Sequence, residues 1–219
     1  MSELNRPVRD KTSVPIGSGR FYLVKCPSRT MPSFAELVAL CESENLIGET
    51  TGGATFNYSC ERHEEKDDHG TLSRNVLIDE AVSLKGGLFS WGLDAMADLI
   101  STGRVEEADN GRFKVLRIGG LDNDNEETYV IVFEHTDPKY APLYIAIMGT
   151  NGAGLTVPFA RNNTSKLEPE FQAEPHDKGG TLALIFEDRG TQTEATASTT
   201  GDQPADNGGA EPDSGTEAE

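Results

Sequence analysis

The stretch GGATFNYSCERHEEKDDHGTLSRNVLIDEAVSLKGG, Gly52 to Gly87, is built around a centre of symmetry. On one arm Phe56, Tyr58 and Cys60 alternate with polar residues, the period of a strand. On the other, Val76 and Ile78 are followed by Ala81, Val82 and Leu84. Between the arms lies HEEKDDHG, entirely polar and closing on Gly70. Two strand-like arms joined by a turn-rich segment read as a long β-hairpin with a charged tip. That tip is too polar to enter a monomer's core. A charge run such as EEKDD ordinarily forms a solvated face. The sharper reading is that His63, Glu64, Glu65, Lys66, Asp67, Asp68 and His69 reach a neighbouring subunit.

Working outward, FYLVKC (Phe21–Cys26) is strand-like. Beyond it, Phe34, Leu37, Val38 and Cys41 fall at i, i+3, i+4 and i+7, the spacing of a helix face. Ser33 is its N-cap candidate, and Glu36 completes a capping box. Leu93, Met96, Ala97 and Ile100 repeat the helical spacing, with Ser90 or Trp91 opening the helix and Gly103 stopping it. The strand candidates that follow span 112–118, 127–135, 143–149, 155–160, 167–173 and 181–187, separated by turn signals such as DPKYAP and HDKGG. Many strands, short polar turns and no βαβ alternation predict a mainly β fold, a β-sandwich or barrel, with one or two flanking α-helices.

The ends differ from the middle. Residues 1–20 contain Pro7, Pro15, Gly17 and Gly19 without periodicity and read as an extended N-terminal arm, ordered against a partner. Residues 21–189 form the β domain. Residues 190–219 contain no aromatic, branched aliphatic or basic residue and carry seven acids, the composition of a disordered acidic tail. Removing those seven charges from the formal net charge of −18 leaves −11 for the rest, so the folded body is acidic too. Such a chain is repelled by nucleic acid and by anionic membrane surfaces. No run of 18 apolar residues spans a membrane, and the polar N-terminus lacks a signal core. The three cysteines, Cys26, Cys41 and Cys60, are odd in number and scattered, and read as free buried thiols of a reducing compartment. Without a secretory route the sequons at Asn57 and Asn162 carry no meaning.

Three candidates suggest chemistry, and none holds. GTNGAGLT (Gly149–Thr156) has the glycine spacing of a phosphate loop, but Leu155 stands where the lysine belongs. The following LTVPF alternates like an edge strand interrupted by Pro158, so the expectation is a hairpin closed by Asn151-Gly152 against the preceding strand. DNDNEE (Asp122–Glu127) lacks the glycine and glutamate of a calcium loop and reads as a solvated turn. Cys60, His63 and His69 match no standard zinc spacing and have no evident fourth ligand. The four histidines pair with no obvious nucleophile, so the expectation is a non-enzymatic protein without cofactor or metal.

Two segments carry a resemblance: Thr51 to Gly92, and Lys114 to Asp188 with KVLRIGG, ETYVIVFEHTD, YIAIMGTNGAGLTVPFA and EFQAEPHDKGGTLALIFED. Together they resemble the major tail tube proteins of long-tailed bacteriophages, of the Gram-positive-phage type, over most of residues 46–188. The most telling piece is Glu170-Phe171-x-Ala173 followed by Asp177-x-x-Gly180-Thr181-Leu182. The resemblance implies a β-sandwich or barrel whose copies join into hexameric rings stacked as a hollow tube, the conduit for genome delivery. It implies a virion (tail) location after synthesis in the host cytoplasm. The partners implied are other copies of itself and tail proteins such as tape measure, tail tip and terminator. Genome DNA would pass through the lumen without specific binding, helped by acidic walls that repel its backbone. The inner tube of a contractile injection or secretion system is the alternative within the same architecture. A β-rich binding module or a hydrolase is the alternative outside it, and nothing in the sequence marks the pocket such a protein needs.

Overall fold

The computed structural model describes residues 6–69, 73–152, 154–159, 161 and 164–190. The tail expected from 190 onward therefore lies, after Gly190, outside the described residues, as does Gly70 at the hairpin tip. Nine strands and two short helices follow in order: β1 Ser18–Lys25, α1 Phe34–Ala39, β2 Leu46–Lys66, β3 Ser73–Leu88, α2 Leu93–Leu99, β4 Arg104–Ala108, β5 Phe113–Arg117, β6 Tyr129–Thr136, β7 Leu143–Asn151, β8 Glu170–Ala173 and β9 Ala183–Glu187.

Seven strands form one antiparallel sheet in the order β6-β1-β2-β3-β8-β7-β9, and β6 also pairs with β7. That extra pairing closes a barrel of six strands: β1, β2, β3, β8, β7 and β6. On the side of β7 away from β6, β9 covers Leu143–Ile147 while β8 covers Gly149–Asn151. The mainly β expectation holds, and closure makes the sheet a barrel.

A six-stranded barrel is narrow enough for side chains to fill it. Phe21, Phe133 and Phe171 meet inside, with ring centroids 5.0 and 5.9 Å from Phe21. Ile131, Ile147, Leu84 and Leu88 complete this interior with the three rings. The alternate residues point outward and are buried too. Tyr22, Val130, Val132, Ala146 and Met148 form a second cluster under Leu37 of α1. Burial on both faces explains why FYLV and YVIVF read as nearly unbroken apolar runs. The capping box of α1 is present: Ser33 donates to Glu36 from its backbone N–H at 2.8 Å and from its hydroxyl at 2.7 Å. Helix α2 adds Leu99 to the interior cluster and packs Ala95 and Met96 against it, with Gly92 as its N-cap rather than Ser90 or Trp91.

Three sequence expectations are corrected. The stretch from Leu155 is not a strand: Leu155–Phe159 has irregular backbone, and Ala160 is outside the described residues. Its place beside β7 is taken by β8, so no hairpin closes at Asn151-Gly152. Leu155 and Val157 instead pack on the barrel interior cluster. The expected strand from Leu167 shrinks to a single bridge, Leu167 to Leu88, before β8. Strand β4, unrecognised in the sequence, pairs with β5 as a separate two-stranded sheet. Its residues RVEEA carry one branched apolar side chain, too few to register as an alternation.

Candidate functional site

The hairpin leaves the barrel at a defined point. Thr50 pairs with Leu88 and Ala54 with Gly86, so three residues oppose one. Gly52 and Gly53 take up the bulge with φ of +86° and +78°, a region closed to most side chains. Thr50, buried at the bend, bridges back to β1: its hydroxyl donates to the Gly19 carbonyl at 2.9 Å and accepts from the Gly19 N–H at 3.2 Å. Bulges bend a strand and raise its twist, which aims the rest of the hairpin away from the barrel.

Beyond the bend the hairpin is bare. Every residue of Asn57–Lys66 in β2 and of Ser73–Ala81 in β3 is exposed, on both faces. Ten strand residues at about 3.3 Å each give a two-stranded ribbon roughly 30 Å long. An isolated two-stranded ribbon is marginal in water. This one also sets Glu61 opposite Asp79, a like-charge pair that opposes folding. It exposes apolar side chains as well: Tyr58 is 52% and Ile78 55% exposed. A second bulge between Glu61 and Arg62 leaves Ile78 without a cross-strand partner.

The tip residues singled out in the sequence fall together. His63, Glu64, Glu65 and Lys66 end β2, and Asp67, Asp68 and His69 enter the turn. Lys66 Nζ lies 3.2 Å from Glu64 Oε1 and His63 Nε2 3.9 Å from Glu65 Oε1, all well exposed. Exposed pairs of this kind are worth about 0–1 kcal/mol and do not fix the tip in place. Among the described residues no group of three or more His, Cys, Asp or Glu could hold a metal ion, so Cys60, His63 and His69 do not converge.

The N-terminal arm, expected to order on a partner, lies on its own barrel from Arg6 on. Arg9, with an 11% exposed side chain, donates from Nη1 to Glu187 Oε1 at 2.8 Å and to the Ala141 carbonyl at 2.8 Å, and faces Asp137 at 3.6 Å. Arg6 donates to the Asp137 carbonyl at 2.9 Å, and the Ala141 N–H donates to the Pro7 carbonyl at 3.0 Å. Asp137 is held below the usual carboxylate range, chiefly by the Lys139 N–H, with the Ile16 and Tyr140 N–H groups and Arg9 adding to it. Burial, then Arg9, push His135 down from its ordinary value. No sequence signal marks Arg9, because its partners lie 128 to 178 positions away along the chain.

The phosphate-loop and calcium-loop stretches do not become sites. Gly149–Asn151 continues β7, and the Asn151 side chain donates to the Leu99 carbonyl at 2.8 Å and the Gly154 carbonyl at 3.0 Å. Among the described residues no helix starts there to meet a phosphate. Leu121–Asn123 is a single 3-10 turn ahead of β6.

Comparison with known proteins gives little. No family model matches the chain, and no curated protein matches it. Among solved structures, the cryo-EM structure of the anti-feeding prophage cap (AFP tube terminating cap) aligns with 85% of this chain and 99% of that one, at 12% identity and a TM-score of 0.42. At that identity and score the likeness establishes neither a shared fold nor a shared function.

Proposed function

We propose that this protein is a non-catalytic structural subunit of a phage tail tube, whose copies join into hexameric rings that stack into the conduit for genome delivery. The hairpin carries the reading. A ribbon roughly 30 Å long, wet on both faces and studded with Val76, Leu77 and Ile78, stands clear of the barrel beyond its base, where Tyr58 and Glu80 face the turn at Gly179–Leu182. Exposed apolar surface of this kind marks a contact with another protein. The filled barrel adds a second support. With Phe21, Phe133 and Phe171 in its middle, the barrel is filled and does not serve as a channel, which puts a lumen between copies. The sequence resemblance to tail tube proteins supplies the ring and tube geometry. The formal charge of −18 suits walls along which DNA slides without sticking.

Negative-stain electron microscopy of the concentrated protein tests this. The expected result is rings or hollow tubes. Particles that stay monomeric at every concentration, and also with neighbouring tail proteins co-expressed, would refute it. A sheath protein encoded beside this chain would move it to a contractile system.

A further inference from the structure

The sheet forks where the hairpin leaves it. Ser83 in β3 opposes Gln172 in β8, which opposes Thr150 in β7. Further along β7, Ile147 opposes Ala183 in β9. Strands β8 and β9 thus lie end to end along one edge of β7, but only β8 is paired to β3. Because β3 runs parallel to β7, the same step back from Ser83 brings Glu80 level with Ala183, and Asp79 level with Leu184. Among the described residues no strand pairs with the outer edge of β9, or with that edge of β3 on the tip side of Ser83. A concavity of about 380 Å³ separates the two edges, with Tyr58, Glu80 and Val82 on one wall and Ala183 and Ile185 on the other.

The facing residues match. Glu61 opposes Asp79 and Arg62 opposes Leu77, so Leu77 and Ile78 share one position of the ladder as a bulge. That position comes level with Ile185, and Val76 comes level with Phe186. Leu77 opposes Arg62 and Val82 opposes Tyr58, so Leu77 faces the side on which Val82 is buried in the core. Ile185 opposes Ile145, which packs on that same core. Leu77 and Ile185 therefore face one side of the sheet, and Val76, Leu77, Ile78 and Ile185 are all exposed. Asp79 and Glu80 meet Leu184 and Ala183, so the match sets no like charges together. Bare strand edges beside exposed apolar side chains are what native proteins cover.

We propose that the hairpin has a second seat on its own barrel: residues 76–80 of β3 zip onto β9, with Leu77 and Ile78 opposite Ile185, and this closed form withholds the hairpin from partners. The structure shows the open form. The bulge at Ile78 is where the ribbon bends to close. The withholding role rests on the assembly reading above, while the closure itself does not.

The test uses the full chain with Cys60→Ser, Leu77→Cys and Ile185→Cys, diluted to a monomer in glutathione redox buffer and read by mass spectrometry. The intramolecular disulfide should form with an effective concentration at least about tenfold above that of the control pair Ser73→Cys with Ile185→Cys, four residues nearer the tip. All these positions are exposed, and circular dichroism checks folding. Equal values for the two pairs, or disulfides that join two copies, would overturn the closure. A second measurement needs no cysteine: Ile185→Asp should speed amide hydrogen exchange of residues 76–80 at least about threefold, and unchanged exchange would overturn the closure as well. The oxidised 77–185 variant should form no rings and regain them on reduction; rings from the oxidised form would overturn the withholding role. Rings absent from wild type under every condition would sink the assembly reading, and the withholding role with it, and leave the closure standing.

Discussion

Phe21 and Gly86 form a pair whose coupling follows from the barrel's packing. Phe21 is 0% exposed, and its ring is wedged between Phe133 and Phe171 at 5.0 and 5.9 Å. Gly86 faces it from β3. A Cβ there would lie 2.3 Å from Phe21 Cε2 and 2.8 Å from Cζ, and the three nearest atoms all belong to that ring. With the ring held on both sides, Gly86→Ala should cost about 1–3 kcal/mol by overpacking. Phe21→Ala should cost about 3–5 kcal/mol through lost burial and the cavity left behind. At about 2–4 °C per kcal/mol for a unit of this size, the melting point falls by roughly 6–20 °C. The double variant is the decisive case. The blocking ring is gone, and Gly86 has no positive φ. Alanine then adds about 0.5–1 kcal/mol by restricting the unfolded chain. G86A should therefore be neutral to stabilising in the F21A background, a coupling of about 1.5–4 kcal/mol against an additivity limit of about 0.5. Urea unfolding of the monomer, followed by Trp91 fluorescence and far-UV circular dichroism, measures all four corners. Additive effects would refute the packing described for the barrel.

Three further outcomes are expected. Replacing residues 61–79 with a two-residue turn should change monomer stability by less than about 1 kcal/mol, since the described side chains removed are exposed apart from the half-buried Asp67, yet abolish rings; calorimetry and electron microscopy read the two effects, and rings that survive would contradict the role given to the hairpin. Cys60, expected to be buried, is exposed on the hairpin, whereas burial and the Glu134 charge push the half-buried Cys41 thiol up to about 12; at pH 8 an alkylating reagent followed by mass spectrometry should mark Cys60 more than about a hundredfold faster, and equal rates would count against the seat of Cys41 under α1. His135 and Asp137 both titrate below their ordinary values, so the unfolded chain binds protons more readily at each; stability should fall as pH drops below 6.5 through His135 and again below 3.8 through Asp137, with His135→Phe flattening the first step in thermal melts across pH 4–8. A first step that persists in that variant would assign it to another group.

Local patterns in the chain settle much of this protein. The capping box at Ser33 and Glu36, the alternation of the hairpin arms and the polar run at its tip act through neighbours within a few residues, so they are legible in order along the chain. The same holds for the failure of GTNGAGLT as a phosphate loop, which turns on the one residue Leu155. Closure of the barrel is not legible in this way. It depends on β7 meeting β6 on one side and both β8 and β9 on the other, and no pairwise pattern in the chain states which strand occupies which edge. That competition is why Leu155–Phe159, alternating as a strand should, ends as irregular chain: its edge is taken. The arm illustrates the same limit. Read locally, residues 6–17 lack any apolar period and have no reason to settle, yet Arg9 finds Glu187, Asp137 and the Ala141 carbonyl at distances only the closed barrel creates. Sequence determined the elements whose energy is local, and tertiary structure decided those whose partners are brought near by closure of the sheet.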